Sequence, residues 1–178
     1  MKQLFKTVLI LLIPVLTFAQ NDLEKASFLD NKLEILVPKS FHKMTEEEYK
    51  VKYPNPKRKA SVIMTDKNLE VNLVIDFLQQ YPLTNEQVEE FKNTQLAAVQ
   101  KSHPEGKLLD NGIKNINGKK VGFFKILTQA SDQKIFNYFV FTDLDEKVLF
   151  LTFNCGEKLM STWEKTIDQM VNSLKLTK

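Results

Sequence analysis

Residues 121–142, VGFFKILTQASDQKIFNYFVFT, contain two strand-like segments with apolar side chains on both of their faces. In the first segment, Phe124 and Ile126 occupy one alternating set, while Phe123 and Leu127 belong to the other. Successive side chains of a strand point to opposite sides of a sheet, so a strand that is apolar on both faces is covered on both faces. These residues therefore predict a sheet with helices packed against each side.

Turn signals around this segment predict that its neighbours are antiparallel strands. Asn117-Gly118 is a strong signal for a two-residue hairpin, here between strands at 107–116 and 121–129. Further turns are predicted at 131–133 and 143–146, and further strands at 33–37, 61–65, 69–78, 135–142 and 148–155.

Two amphipathic helices supply the covering layers. The first begins at Thr84, which forms a capping-box pattern with Gln87. Leu83 and Val88 stand at the two positions of a hydrophobic staple. The second helix follows Cys155, and its apolar residues recur every three to four positions, as a core-facing helix requires. They are Met160, Trp163, Ile167, Met170, Val171 and Leu174.

The order of these elements predicts an α+β fold, a three-layer α/β/α sandwich around a mainly antiparallel sheet. A short helix with Thr45 as its N-cap and glutamates in its first turn precedes the strand at 61–65. No repeat and no long linker divides the rest of the chain. Residues 20–178 are therefore predicted to form a single domain.

The first residues, MKQLFKTVLILLIPVLTFA, have the pattern of a secretory signal peptide. Lys2 and Lys6 give a positive start, residues 8–18 are almost entirely apolar, and small residues precede a cleavage point after Ala19. The apolar run is shorter than the ~20 residues that span a membrane. We therefore expect residues 1–19 to be removed and the mature protein to be exported, periplasmic or secreted, without stable membrane insertion.

Charge argues against binding of nucleic acid or anionic membranes through overall charge, and cysteine content excludes a disulfide-stabilised fold. Removal of residues 1–19 lowers the formal net charge from +3 to +1. So balanced a chain is not expected to bind nucleic acid or anionic membranes through its overall charge. Cys155 is the only cysteine, so an internal disulfide is impossible and the fold depends on packing.

The order of these patterns resembles the PsbP-like superfamily over residues 30–176. The resemblance rests on the strand LEILVP at 33–38 before a short acidic helix, on the strand pair before the helix at Thr84, and on the hairpin INGKKVGFF at 116–124. Two closing strands that lead into a C-terminal helix complete it. The resemblance implies an α/β/α sandwich used as a binding module, with no common active site and no functional residue to carry over.

Cys155 is the residue whose position most resembles that of a catalytic nucleophile, because it ends a strand just before Gly156 and a helix. Thiol catalysis needs a base within hydrogen-bonding distance, and His42 and His103 are the only histidines. Strand alternation places Cys155 in the same set as Phe153, which points into the core. A buried structural cysteine is therefore favoured over a redox-active or interchain thiol and over a nucleophile.

The sequence predicts no catalytic residue, no cofactor and no metal site. The two histidines and the cysteine lack the spacing of metal ligands, and the five glycines form no phosphate-binding loop. Asp143, Asp145 and Glu146 carry oxygens that suit calcium, but the glycine-turned loop of a calcium site is missing. A solvated hairpin turn is expected there instead.

A basic and aromatic stretch is the most distinctive surface feature of the sequence. Tyr49 and Tyr53 precede Lys57, Arg58 and Lys59, with two prolines in between. Such a stretch is suited to an acidic protein, an anionic glycan or a lipid head group; the alternative is a solvated loop balanced by nearby glutamates. These five residues form the candidate partner-binding site.

The patterns favour an exported, non-enzymatic interaction module with a protein partner in the cell envelope. The alternative is a carrier of a small apolar ligand, with a pocket between sheet and helix lined by some of the thirteen phenylalanines. A dense core explains those phenylalanines equally well. A hydrolase with an unrecognised site is the third possibility.

Overall fold

A seven-stranded antiparallel sheet forms the centre of the protein in a computed structural model, which describes residues 22–53 and 60–177. The strands are β1 (Leu23–Phe28), β2 (Leu33–Pro38), β3 (His42–Lys43), β4 (Val62–Thr65), β5 (Asn72–Pro82), β6 (Lys107–Ile116), β7 (Lys119–Gln129), β8 (Lys134–Leu144), β9 (Lys147–Gly156) and β10 (Lys175–Leu176). The order across the large sheet is β3-β4-β5-β9-β8-β7-β6, and β1-β2-β10 form a second, smaller sheet.

Three α-helices accompany the strands in the described part of the chain. They are α1 (Glu46–Lys52), α2 (Val88–Ser102), which a 3-10 turn at Asn85–Gln87 introduces, and α3 (Glu157–Asn172). None of them is long and apolar enough to cross a membrane.

Both faces of the large sheet are buried, as the apolar alternation predicted. Phe124, Ile126 and Phe141 lie on one face, where Phe91 and other residues of α2 pack against them. The opposite face carries a larger core that includes Val121, Phe136, Tyr138, Val140, Leu151 and Cys155. The α+β sandwich around a mainly antiparallel sheet is thus confirmed.

Helix α3 directs its predicted apolar stripe toward this larger core. Ile167, Met170 and Val171 are buried there. Trp163 contacts Phe41 with a ring-centroid distance of 5.5 Å. Full burial of each such side chain contributes about 1.5–3 kcal/mol before the entropy of ordering it is subtracted.

The small sheet shares the layer of α3, and the sequence predicted only its middle strand. β1 and β10 both pair with β2 in antiparallel register. The side chains of Leu33, Ile35 and Val37 in β2 are buried in the larger core. β10 has two residues and β1 has several exposed ones, so neither carries a long enough apolar pattern to predict a strand.

The turn predicted at residues 143–146 is shorter than expected. Asp145 and Glu146 alone form it, with φ values of 51° and 56° that suit a two-residue hairpin. Asp143 and Leu144, predicted to be solvated turn residues, continue β8 and are buried. Leu144 belongs to the larger core, so its burial extends the β8–β9 pairing to the Leu144–Lys147 pair.

The strand predicted at 69–78 begins later than expected. Leu69 has a φ of 60°, and Asp66 Oδ1 accepts hydrogen bonds from the backbone N–H groups of Glu70 and Val71. These bonds extend the turn, so that β5 starts only at Asn72.

Two glycines have positions that the backbone explains. Asn117 and Gly118, with φ values of 49° and 82°, form the predicted hairpin turn between β6 and β7. At Gly122 a Cβ atom would lie 2.9 Å from Cβ of Lys92 and 3.2 Å from a methyl group of Val88. This glycine therefore allows α2 to approach the sheet closely.

Candidate functional site

Helix α1 lies on the surface; the candidate Tyr49 is part of it, and the candidate Tyr53 is its C-cap residue. Thr45 Oγ1 accepts a hydrogen bond from the N–H of Glu48 at 3.2 Å, and the N–H of Thr45 donates to Glu48 Oε2 at 2.8 Å, so the predicted N-cap is a complete capping box. No residue of α1 is buried, and Val51 is 78 % exposed. We call Tyr49, Lys50, Val51 and Tyr53 the α1 surface.

The two tyrosines lie side by side, one helical turn apart. Their ring centroids are 5.2 Å apart at an interplanar angle of 42°. Burial, followed by the neighbouring Tyr49, raises the pKa of the Tyr53 hydroxyl, which therefore stays protonated at neutral pH. A protonated phenol presents both an apolar ring and a hydrogen-bond donor to a partner.

Of the five predicted site residues, the structure brings Tyr49 and Tyr53 together. Lys57, Arg58 and Lys59 lie outside the described residues, so their part in the site stays a prediction.

A glutamate expected to balance the basic stretch is engaged elsewhere. Glu48 closes the capping box, and its Oε1 lies 2.9 Å from Nε2 of His42. The hydrogen bond from the N–H of Thr45, and then the one to His42, lower the pKa of Glu48. Glu48 is therefore engaged by the helix start and by the His42 ring, and not by the basic stretch.

Cys155 is a core residue, as the strand alternation predicted. Its side chain is 1 % exposed and packs in the larger core. Burial raises the pKa of its thiol to about 12, which disfavours the thiolate that a nucleophile requires. His42 lies three strands away in the sheet order, a distance of about 14 Å. His103 follows α2, on the opposite face, and pairs with Glu105 at 3.4 Å.

The buried thiol predicts a specific loss of stability at alkaline pH. Between pH 9 and 12 the thiol ionises in the unfolded chain but not in the folded protein, so unfolding becomes easier as the pH rises. This one group should lower the free energy of unfolding by about 1.4 kcal/mol per pH unit. Urea unfolding with a reducing agent, from pH 8 to 11, measures the slope.

Cys155→Ala is the matched variant for this experiment, because it has no group to ionise and should show a slope shallower by about 1.4 kcal/mol per pH unit. Modification of the native thiol by a thiol reagent at pH 8 should be slow. An identical slope in the variant, or modification as fast as in the unfolded chain, would contradict the burial of Cys155.

A charged network beneath α3 is the arrangement that the sequence did not predict. Lys125 lies in the middle of β7 with a side chain only 7 % exposed. Its Nζ donates to Glu164 Oε1 at 2.9 Å and to Asp168 Oδ2 at 3.2 Å, both on α3, and lies 4.7 Å from the ring centroid of Tyr138. A lone lysine at a core-facing position between Phe123 and Leu127 was the available signal.

This network does not resemble a reactive amine site. Burial alone would lower the pKa of Lys125, but the hydrogen bonds and charges of Glu164 and Asp168 outweigh it and raise the pKa above its ordinary value. A permanently protonated lysine cannot attack a carbonyl group. The network therefore joins α3 to the sheet through a buried lysine paired with two partly exposed carboxylates.

Three surface clefts formed by the described residues contain no phenylalanine in their lining. They have volumes of about 510, 150 and 220 Å³ and lie at the β8–β9 turn, beneath α1 and beside Glu157, respectively. The phenylalanines pack on one another instead: the ring centroids of Phe141 and Phe150 are 4.7 Å apart, and those of Phe124 and Phe139 are 4.8 Å apart. This packing favours a filled core over a phenylalanine-lined ligand pocket.

The described carboxylates, histidines and cysteine do not assemble into a metal site. Within residues 22–53 and 60–177, no group of three or more such side chains could hold a metal ion.

Comparison with known proteins identifies the fold. The chain matches no protein-family model, and no curated protein matches it. Among solved structures, cyanobacterial PsbP from Synechocystis has a TM-score of 0.61 at 12 % identity, covering 88 % of this chain and 94 % of that one. A Pseudomonas aeruginosa protein of unknown function, described as a putative regulator, has a TM-score of 0.52 at 14 % identity, covering 88 % and 98 %.

The Ran-binding protein Mog1p of Saccharomyces cerevisiae is a third structural neighbour. It has a TM-score of 0.53 at 8 % identity, and the match covers 87 % of this chain and 95 % of that one. Together these likenesses confirm the PsbP-like fold that the sequence resemblance implied.

Proposed function

We propose that this PsbP-like domain is an exported, non-enzymatic binding module that docks on an acidic surface of a cell-envelope protein. The α1 surface and the basic residues Lys57, Arg58 and Lys59 form its contact site. The observation that carries the proposal is the exposure of Val51, at 78 %, between two adjacent tyrosines on a helix with no buried residue.

The composition of this surface suits a protein interface. Tyrosines are enriched at the centres of interfaces because they combine a large apolar ring with a polar hydroxyl. The basic residues at 57–59, which follow closely in the sequence, supply charge complementary to an acidic partner. Two of the structural neighbours are described as a putative regulator and as a Ran-binding protein, and these descriptions are in line with a binding role.

The chemistry of the described residues supports a role without catalysis. The Cys155 thiol is buried and protonated, and Lys125 is held as a cation. The pKa shifts of Glu48, Glu86 and Glu105 are all downward, caused first by hydrogen bonds to backbone N–H groups, whereas a general acid needs an upward shift.

Export is supported by the signal-peptide pattern of residues 1–19, which lie outside the described residues. Cleavage after Ala19 should leave Gln20 as the first residue of the domain formed by residues 20–178. N-terminal sequencing of the protein from the envelope or the medium tests this directly. A cytoplasmic protein that retains Met1 would contradict it.

Loss of the tyrosines should strongly weaken partner capture. In Tyr49→Ala/Tyr53→Ala, we expect binding to weaken by about thirty-fold or more, because truncation of a central interface tyrosine costs about 2 kcal/mol. Charge reversal at Lys57, Arg58 and Lys59 should have a comparable effect that diminishes at high salt. Affinity capture from the native envelope, followed by mass spectrometry and a binding assay with the captured protein, measures both.

A control of equal charge change distinguishes the site from general electrostatics. Lys101, Lys134 and Lys158 are exposed and lie on other elements, so their reversal to glutamate should leave capture unchanged. Circular dichroism establishes that all the variants are folded. Equal capture by the wild type and the tyrosine variant would overturn the assignment of the α1 surface.

A further inference from the structure

Strand β6 lies at one edge of the large sheet and is ten residues long. Within residues 22–53 and 60–177, β7 is the only strand that pairs with it. The other edge of β6 therefore has a row of backbone N–H and C=O groups without a strand partner. Such an edge is a template for pairing with a strand of another chain.

The register of the β6–β7 hairpin shows which groups of β6 bond to β7. In an antiparallel pair, hydrogen-bonded and non-hydrogen-bonded residue pairs alternate. Asn115 lies opposite Lys120. The N–H of Lys120 donates to Asn85 Oδ1 at 2.8 Å, and its carbonyl accepts from the Thr142 hydroxyl at 2.9 Å. Since both backbone groups of Lys120 are directed away from β6, Asn115 and Lys120 form a non-hydrogen-bonded pair.

Alternate residues of β6 therefore direct their backbone N–H and C=O groups outward, away from the sheet. By the alternation that starts at Asn115, these residues include Ile113 and Asn111. Gly112 and Lys114 instead exchange hydrogen bonds with β7. The outward groups of Asn111 and Ile113 are thus available to a strand of a second chain.

The charges of this edge are arranged symmetrically about Gly112. A register shift between Leu108 and Asp110 marks the start of the regular segment. Asp110 is exposed and lies two residues before Gly112, and Lys114, whose side chain is 29 % exposed, lies two residues after it. Strand alternation places these three residues on the same face. A two-fold axis at Gly112 therefore places each aspartate opposite the lysine of a second copy.

Other symmetric registers lack this complementarity. A two-fold axis at Lys114 would place two lysines opposite one another, and like charges directly opposite are destabilising. An axis at Asn111 or at Ile113 would place neither charge opposite its complement. Gly112 has no side chain, and a glycine within a strand permits another backbone to approach closely. Charge and shape thus favour the register centred on Gly112.

The contacts of Lys114 within its own chain are long. Its Nζ lies 3.3 Å from the Tyr138 hydroxyl, 3.5 Å from Asn172 Oδ1 and 3.7 Å from Asp168 Oδ1. Strong hydrogen bonds between an ammonium group and a carboxylate are about 2.7–2.9 Å long. Lys114 can therefore exchange one of these contacts for a carboxylate on the other side of the strand.

We propose that β6 pairs in antiparallel register with β6 of a second copy of this chain, about a two-fold axis at Gly112. Asn111 of each copy exchanges backbone hydrogen bonds with Ile113 of the other. Asp110 lies opposite Lys114 in the non-hydrogen-bonded pairs, where side chains are closest. The contact is isologous and joins the two large sheets edge to edge. It requires neither the α1 surface nor export, so it is independent of the proposed function.

Sedimentation equilibrium of the purified protein tests the association. We expect a monomer–dimer equilibrium with a Kd of about 10–100 μM, because one pair of strands buries less than the roughly 1,200 Å² of a stable interface. Association should weaken as the salt concentration rises, because the opposed charges are exposed to solvent. A protein that remains monomeric up to about 1 mM would overturn the proposal.

Two charge-reversal variants distinguish this register from any other contact. Asp110→Lys and Lys114→Asp each place like charges opposite one another in a homodimer, so each variant alone should associate about ten-fold more weakly or less. An equimolar mixture of the two restores both pairs of opposite charge, and its heterodimer should have a Kd within about three-fold of the wild-type value. A mixture that associates no more strongly than its components would overturn the register.

Asp132→Lys and Lys134→Asp are the matched controls. They carry the same changes of charge at exposed positions around the β7–β8 turn and should associate like the wild type. Circular dichroism establishes that all four variants are folded. Equal weakening in the controls would attribute the effect to overall charge and would overturn the role of Asp110 and Lys114.

Amide hydrogen exchange locates the contact independently of these variants. The N–H groups of Asn111 and Ile113 should be protected only at protein concentrations above the Kd. Those of Gly112 and Lys114 bond to β7 and should be protected at every concentration. Association without new protection at Asn111 and Ile113 would place the contact elsewhere and overturn the proposal.

Discussion

Replacement of both carboxylates that hold Lys125, by Glu164→Gln and Asp168→Asn, should lower the free energy of unfolding by about 3 kcal/mol. The lysine side chain is 7 % exposed, so the double variant leaves a buried charge without a counter-charge. Asp168 also lies 3.7 Å from Nζ of Lys114, and this second pair is lost as well. Urea denaturation at pH 7 measures the change.

Lys125→Met is the matched control, because it removes the buried charge instead of its partners. Glu164 and Asp168 are 40 % and 36 % exposed, so water can solvate them when the lysine is gone. The loss should therefore be about 1 kcal/mol, and the triple variant should recover most of the stability that the double variant loses. If the triple variant lost as much free energy of unfolding as the double variant and Lys125→Met lose together, this account of the network would be contradicted.

Phe141→Ala should cost about 3–5 kcal/mol of unfolding free energy. Phe141 is fully buried between the sheet and α2, with ring centroids 4.7 Å from Phe150 and 5.5 Å from Phe91. Its truncation leaves a cavity that the facing helix fills only in part.

Phe139→Ala is the control for this second variant. Phe139 lies on the same strand and packs on the same cluster, but it is only partly buried. Its truncation should cost clearly less, about 1–2 kcal/mol, because less apolar surface returns to water. Equal losses in thermal or urea unfolding would show that α2 does not seal this face of the sheet.

The sandwich was predictable because its dominant signals are local. Phe124 and Phe123 fall on opposite faces by strand alternation alone, and Thr84 begins its helix through contacts with Gln87, whose Oε1 accepts from the N–H of Thr84 at 3.1 Å. Each of these patterns lies within a few residues of sequence. The closing strands and the two covering helices therefore followed from the sequence.

The features that were missed depend on residues distant in sequence. β10 becomes a strand only because Leu176 meets Leu33 of β2. Lys125 is buried only because α3 supplies Glu164 and Asp168. Asp143 looked like a solvated turn residue.

The candidate site was predictable where its residues are close in sequence. Tyr49 and Tyr53 are four residues apart, the spacing that places side chains together on a helix, and the structure finds their rings adjacent. The cleft of about 510 Å³ at the β8–β9 turn left no such signal, because its lining comes from four separate parts of the chain.

The pairing of β10 with β2 affects the order in which the strands of the small sheet form. The backbone N–H of Thr177 donates to the carbonyl of Lys32, and its hydroxyl donates to the carbonyl of Asn31. The turn before β2 therefore completes its hydrogen bonds only with residues near the end of the chain. Contacts of such sequence separation form slowly. The edge of β2 that faces away from β1 therefore stays unpaired until residues 175–177 are in place.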